Sequence, residues 1–149
     1  MAETGNHFRP YVQIAAFCQA ALQEAAGTLS LIRITDRVGV TGTTEEMHPS
    51  QIQGLTLVVV LKSGFMRGRS NVTIRPNSPS GEVLPTVEMT VLFEGDERGV
   101  GIILPMAMIA KEEGLYWFDV LVDEDLFTRI PLRVIYQRLP RLGAPPATT

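Results

Sequence analysis

The last third of the chain alternates with a period of two on both sides of an acidic turn, and this restricts it to a layered β fold. From Gly114 to Val122 the residues run GLYWFDVLV, with Tyr116, Phe118, Val120 and Val122 on one face. After Asp123-Glu124-Asp125 the stretch Thr128 to Tyr136, TRIPLRVIY, puts Ile130, Leu132, Val134 and Tyr136 on one face in the same way. Two strands that each bury one face need another layer to bury it against, and the rest of the chain offers mostly more strands. The expected fold class is all-β, a sandwich of two mainly antiparallel sheets. Pro131 removes a ladder donor, so the closing strand is expected at a sheet edge or a bulge.

Gly and Pro recur at short intervals from Gly27 to Pro131, a spacing suited to many short strands. Between these breaks lie Leu29 to Val38, Leu55 to Leu61, Ser70 to Arg75, Val87 to Phe93 and Val100 to Pro105, mostly rich in Val, Ile, Leu and Thr. Leu55 to Leu61 is apolar on both faces apart from Thr56, the pattern of a strand in the middle of a sheet under two layers. The first segment has two readings. Ile14, Phe17, Cys18, Ala21, Leu22 and Ala25 recur at helical spacing ahead of Gly27, a C-terminal glycine signal. The alternative is a strand from Tyr11 to about Ala20, with Val12, Ile14, Ala16 and Cys18 facing the core and a turn from Gln23 to Gly27.

The stretch from Ala16-Phe-Cys18 through GTLSLIRITDRV, Gly27 to Val38, resembles the opening of an uncharacterised bacterial family of small single-domain proteins. Its members begin with a strand, a turn ending in Gly, and a strand of the type Gly-Lys-Leu-x-Ile-x-Gly-x-Phe-Asp-Arg. The resemblance extends through His48-Pro49, Leu55 to Leu61, the Gly114-x-Tyr-x-Phe motif and Pro131-Leu-x-Val134, covering most of residues 12–136. It implies an immunoglobulin-like β-sandwich, favours the strand reading of the first segment, and carries no known activity. Arg33 and Thr35 stand where the family usually has a glycine and an aromatic, and Ala20 to Ala26 is richer in alanine. The expected layout is an N-terminal arm over 1–9, the sandwich over 10–138 and a loose Pro-rich tail over 139–149.

At 149 residues the chain fits one domain that needs no staple. Its single cysteine, Cys18, has no partner for an internal disulfide, which fits a reducing compartment. Thirteen basic against sixteen acidic residues, net −3, give too little positive charge for a nucleic-acid footprint. The first residues lack the cationic start of a signal peptide. The longest apolar run, Leu57 to Leu61, is far below the ~20 residues that span a bilayer. A cytoplasmic location is expected, with neither nucleic acid nor membrane as partner.

No catalytic constellation emerges, and neither cofactor nor metal is expected. His7, His48 and Cys18 lack zinc-ligand spacing, and Cys18 reads as a buried structural thiol. Asp119, Asp123, Glu124 and Asp125 read as a solvated turn, since their spacing is unlike a calcium loop. Nucleophile-elbow and Walker patterns are absent. What remains are contact candidates. Arg67 and Arg69 share a loop, Arg129 and Arg133 share one face of the closing strand, and Asp36-Arg37 ends the second strand. Trp117 falls on the outer face of the hairpin opposite Tyr116 and Phe118. The expected function is a non-catalytic cytoplasmic protein-binding or assembly module, self-associating through the closing hairpin. The alternative is a small-ligand or carbohydrate-binding sandwich in which Trp117 or Tyr116 stacks on a ring while Arg67 and Arg69 hold an anion.

Overall fold

A computed structural model describes residues 9–140; all but the last residue of the expected arm, with His7, and most of the expected tail lie outside the described residues. Eleven strands follow one another: β1 Tyr11–Gln23, β2 Leu29–Thr35, β3 Arg37–Gly42, β4 Ser50–Gln51, β5 Thr56–Lys62, β6 Arg67–Asn77, β7 Val87–Glu94, β8 Gly99–Pro105, β9 Ile109–Ala110, β10 Gly114–Val122 and β11 Asp125–Arg138. Four of them form a sheet in the order β2-β1-β5-β8, and five form a second in the order β3-β11-β10-β6-β7; β4 and β9 make a small bridge. The first segment is therefore a strand, as the family resemblance implied. Its helical spacing loses because β5 and β2 both offer it ladder partners.

The predicted stretch Leu29 to Val38 divides at Asp36, where the chain crosses from one sheet to the other and β3 lies parallel to β11. Neighbouring pairs elsewhere in both sheets are antiparallel. A leading segment that changes sheets and pairs parallel with the last strand makes the sandwich immunoglobulin-like.

The core lies between the two inner faces. Phe17, Leu57, Val59 and Leu61 from the smaller sheet meet Val72, Ile74, Tyr116, Phe118, Val120, Ile130, Leu132 and Val134 from the larger, all buried. The Phe17 and Phe118 rings meet edge to face across the layers, with centroids 4.9 Å apart. Of the inward residues expected of the closing hairpin, all but the half-buried Tyr136 are buried, and past the bulge at Val120/Leu121 Leu121 is buried as well; Tyr116 donates from its hydroxyl to the Glu112 carbonyl at 2.6 Å. Gly114 opens β10 at φ 130°, and a Cβ there would stand 2.8 Å from Pro79 Cγ, so the hairpin can begin only with glycine.

Three expectations are corrected. β1 carries a bulge between Val12 and Ile14, after which Ala15 and Phe17 face the core while Ile14, Ala16 and Cys18 turn outward. β11 is not an edge strand, since β10 and β3 flank it. Pro131 is tolerated because β3 begins to pair only at Arg133, whose N–H donates to the Asp36 carbonyl at 2.8 Å. Finally, β5 is central in its sheet but has a layer on one side only, so its second apolar face is uncovered.

Candidate interaction face

The bulge in β1 decides what the smaller sheet presents to solvent. Beyond it, register carries Ile14 beside Val60 and Gly101, Ala16 beside Val58 and Ile103, and Cys18 between Ile34 and Thr56. Ala20 with Ile32 and Leu22 with Ser30 extend the same face along the β1–β2 hairpin. Ile34 is 66% exposed, Leu22 52%, Ile32 42%, Ile103 37% and Ile14 36%. Together these five expose on the order of 450 Å², as much as the largest apolar patch of many monomers before their smaller neighbours are added. Charge on this face gathers at one end of β5, where Lys62 lies beside Tyr11, whose hydroxyl donates to Glu97 Oε2 at 2.6 Å.

Val58 and Cys18 are buried although they lie on this outward side, because the neighbouring strands' side chains close over them. The Cys18 Sγ donates weakly to the Thr56 carbonyl at 3.7 Å, and burial pushes its thiol pKa up. It is a structural thiol, but one on the outer side of the sheet and not in the core. Arg33 sits between Ile32 and Ile34 at φ 54°, the left-handed conformation that glycine adopts freely. Its place is the one where the resembled family usually has glycine.

The other outer face holds most of the residues singled out from sequence, and it is covered by charge. Trp117 is half-buried beneath the Arg129 guanidinium, 5.0 Å from the ring centroid. Arg129 Nε donates to Asp119 Oδ1 at 2.7 Å, and Asn77 Nδ2 donates to Asp119 Oδ2 and to the Trp117 carbonyl, both at 3.2 Å. These contacts close the ring over, while Tyr116 is in the core. Burial pushes the Tyr116 phenol pKa up. Arg67 and Arg69 lie on β6 itself, not on a loop. Arg67 bonds Asp96 at 3.1 Å, and Arg37 bonds Asp36 at 3.1 Å. Arg69 and Arg133 are exposed and have no ion-pair partner among the described residues. Arg133 pairs in register with Arg37, whereas Arg67 starts β6 opposite Glu94, so these arginines do not converge. The Asp123-Glu124 turn takes positive φ at both residues, and Asp123 Oδ1 accepts from Asn71 N at 2.9 Å.

A third feature lies where the sheets part, between β7 and the segment after β8. A cleft of about 630 Å³ there has Leu57, Ile74 and Phe118 at its lining, with Val83, Met106 and Met108. Its charged lining residues are Glu82 and Lys111, both exposed. Neither this cleft nor the outer face of the smaller sheet was singled out from sequence. The available signal was the apolar character of both faces of β5, together with Ile32 and Ile34 opposite Leu29 and Leu31 in β2.

A model of a family of unknown function, DUF6941, matches residues 13–135. No curated protein matches the sequence. Among solved structures, the alkylpurine DNA glycosylase AlkC of Pseudomonas fluorescens, bound to DNA containing an abasic site analog, superposes with a TM-score of 0.50 at 8% identity. That match covers 85% of this chain and 30% of the glycosylase chain. An immunoglobulin-like protein from Pseudomonas aeruginosa gives a TM-score of 0.47 at 12% identity, over 85% of this chain and 96% of that one. A beta-glucosidase from Listeria innocua gives 0.42 at 13%, over 88% of this chain and 16% of the enzyme. The likeness to the glycosylase, at that identity, is one of fold.

Proposed function

We propose that this chain, which belongs to the family of unknown function DUF6941, is a non-catalytic protein-binding module that works in the cytoplasm through the outer face of its four-stranded sheet. The observation that carries the reading is the contrast in charge: an apolar face with Lys62 at its rim, on a sandwich whose opposite face is covered by ion pairs. A soluble domain gains nothing from leaving such a face in water, whereas a partner buries it. The absence of catalysis is supported by the state of Cys18, a buried thiol with a raised pKa. Among the described residues, no three of His, Cys, Asp or Glu are grouped to hold a metal. No helix among those residues is long and apolar enough to cross a membrane.

The test is the native mass of a tagged chain in cell extract. The wild type should migrate well above its 16.4 kDa, and Ile32→Lys/Ile34→Lys at the monomer mass with an unchanged circular dichroism spectrum. A monomeric wild type, or a complex that survives the double substitution, would overturn the reading.

The cleft between the sheets favours a second reading, a small-ligand site, because its volume and apolar lining fall in the range of such pockets. It moves that alternative away from Trp117 and the arginines, towards an apolar ligand and not a sugar. A ligand that binds there raises the melting temperature of the wild type but not of Met108→Trp, which fills the space.

A further inference from the structure

We propose that β8 accepts an extended segment of another protein as a further, antiparallel strand of the four-stranded sheet, with the inward side chains of that segment filling the cleft between the sheets. The inference goes beyond the reading of the outer apolar face and does not rest on it. It shares the cleft with the second reading and gives that space a peptide side chain as its occupant.

The backbone of β8 is open on one side. β8 is the last strand of its sheet, with β5 as its strand neighbour. In their register Met106 N donates to the Leu55 carbonyl at 2.9 Å and Ser63 N to the Arg98 carbonyl at 3.0 Å, so Val100, Ile102 and Leu104 are the residues that bond to β5. The N–H and C=O groups of Gly99, Gly101 and Ile103 therefore point away from the sheet. Lys62 Nζ lies over Gly99, 3.4 Å from where a Cβ would stand, and Pro105 has no N–H. Between these ends Gly101 and Ile103 offer two donors and two acceptors to a neighbouring strand.

The other edges of the two main sheets are guarded. β7 carries the exposed Glu88 and Glu94, β3 opens on Arg37, and β2 is interrupted by Arg33 at φ 54°. β8 holds neither a charged residue nor a register shift, and open space surrounds the position that a Gly101 side chain would take. An edge left in this state takes a further strand with no side chain to displace.

The cleft gives that strand its specificity. Leu104 and Leu57, opposite each other in register, line it from the smaller sheet, and Ile74 and Val87, likewise paired, line it from the larger. A residue placed opposite Leu104 on an added strand points to the same side as Leu104, inward, into the gap between Leu104 and Val87. Val83, Val87 and Ile109, at the lining, are 56%, 37% and 57% exposed, and Met106 and Met108 supply side chains that repack around a guest. A small apolar ligand would fill the cleft and leave the edge groups of β8 to water, whereas a polypeptide satisfies both. The partner is thus an uncharged extended segment with large apolar residues at alternate positions, one of them opposite Leu104.

The probe is a phage-displayed library of random short peptides, selected on the purified full chain, with the selected peptides then synthesised and titrated. They should share apolar residues at alternate positions. Methylating the backbone nitrogens of the residues between those apolar ones should weaken binding about tenfold or more, because these N–H groups face β8; methylating the nitrogens of the apolar residues themselves should not. Gly101→Pro removes an outward donor and none that β5 uses, so it should keep the circular dichroism spectrum and lose binding about tenfold. Met108→Trp should lose binding too, and Ile32→Lys/Ile34→Lys should bind as the wild type does. Because the methylation is made on the peptide, it reads strand addition whether or not the proline variant folds. Failure to select any peptide, or a loss in Ile32→Lys/Ile34→Lys, overturns the proposal. Binding lost in Met108→Trp but indifferent to methylation overturns strand addition and leaves an occupant of the cleft alone, and loss in the opposite methylation phase overturns the antiparallel direction.

Discussion

The two outer faces of the sandwich are built on the same inner core but meet water differently. On the five-stranded sheet, Trp117 is the largest outward side chain, and Arg129, Asp119 and Asn77 lock together above it. On the four-stranded sheet, Ile32 and Ile34 stand open, with Lys62 and the Tyr11–Glu97 hydrogen bond at the far rim. The first face has been made indifferent to partners, while the second has been left unfinished. An exposed aromatic is the residue one looks for at a contact, yet here it is the one the molecule has satisfied internally. The proposed contact surface is largely aliphatic, and a single bulge turns Ile14 and Ala16 away from the core to form it.

Substitutions on the two faces should therefore behave unlike each other. The largest effect is expected from Val58→Asp, which puts a carboxylate beneath the neighbours that close over this outward position; it should cost about 3 kcal/mol or more in urea unfolding. A cost under about 0.5 kcal/mol would mean that the face is loosely packed and the contrast weaker than drawn. Trp117→Ala should cost about 2 kcal/mol, less than a fully buried tryptophan, and should leave the sedimenting mass unchanged. A change of mass would return the contact to the closing hairpin.

Arg33→Gly should raise stability by roughly 0.5–1 kcal/mol in thermal or chemical unfolding, because glycine adopts the left-handed conformation without strain. No gain there would show that the Arg33 side chain contributes as much as its backbone costs. The smallest effect is expected from a double-mutant cycle of Asp119→Asn and Arg129→Gln. Partial exposure of Arg129 limits their coupling to about 0.5 kcal/mol, shrinking as salt is added. A salt-independent coupling would mean that the cover over Trp117 is packing and not charge.

The closing hairpin was largely legible, since Tyr116, Phe118 and Val120 alternate with less buried residues until the bulge at Leu121, which is buried beside Val122. The strand character of the first segment was not legible from periodicity, because Ile14, Phe17, Ala21 and Ala25 satisfy a helical spacing equally well; the family resemblance resolved it. The direction in which β1 faces was beyond reach. With apolar residues on both sides of the strand, nothing marks the bulge at Gln13 that sets which side is buried. The pattern of β5 was read correctly as central, but its second apolar face was assigned to a covering layer that the fold lacks. Trp117 misled because one sequence cannot show that Arg129 and Asp119, ten residues apart, meet across the hairpin.

β1 changes neighbour along its length. Residues 11–16 pair with β5 alone, Phe17 and Cys18 lie between β5 and β2, and residues 19–23 have β2 as their sole strand neighbour. Amide exchange along this strand should run on two clocks. The amides bonded to β5 exchange only when the sandwich opens as a whole, and those bonded to β2 alone whenever the hairpin lifts away without disturbing the Phe17–Phe118 contact. One polypeptide segment thus carries both the slowest and some of the fastest hydrogens in the sheet, with the change falling next to the only cysteine.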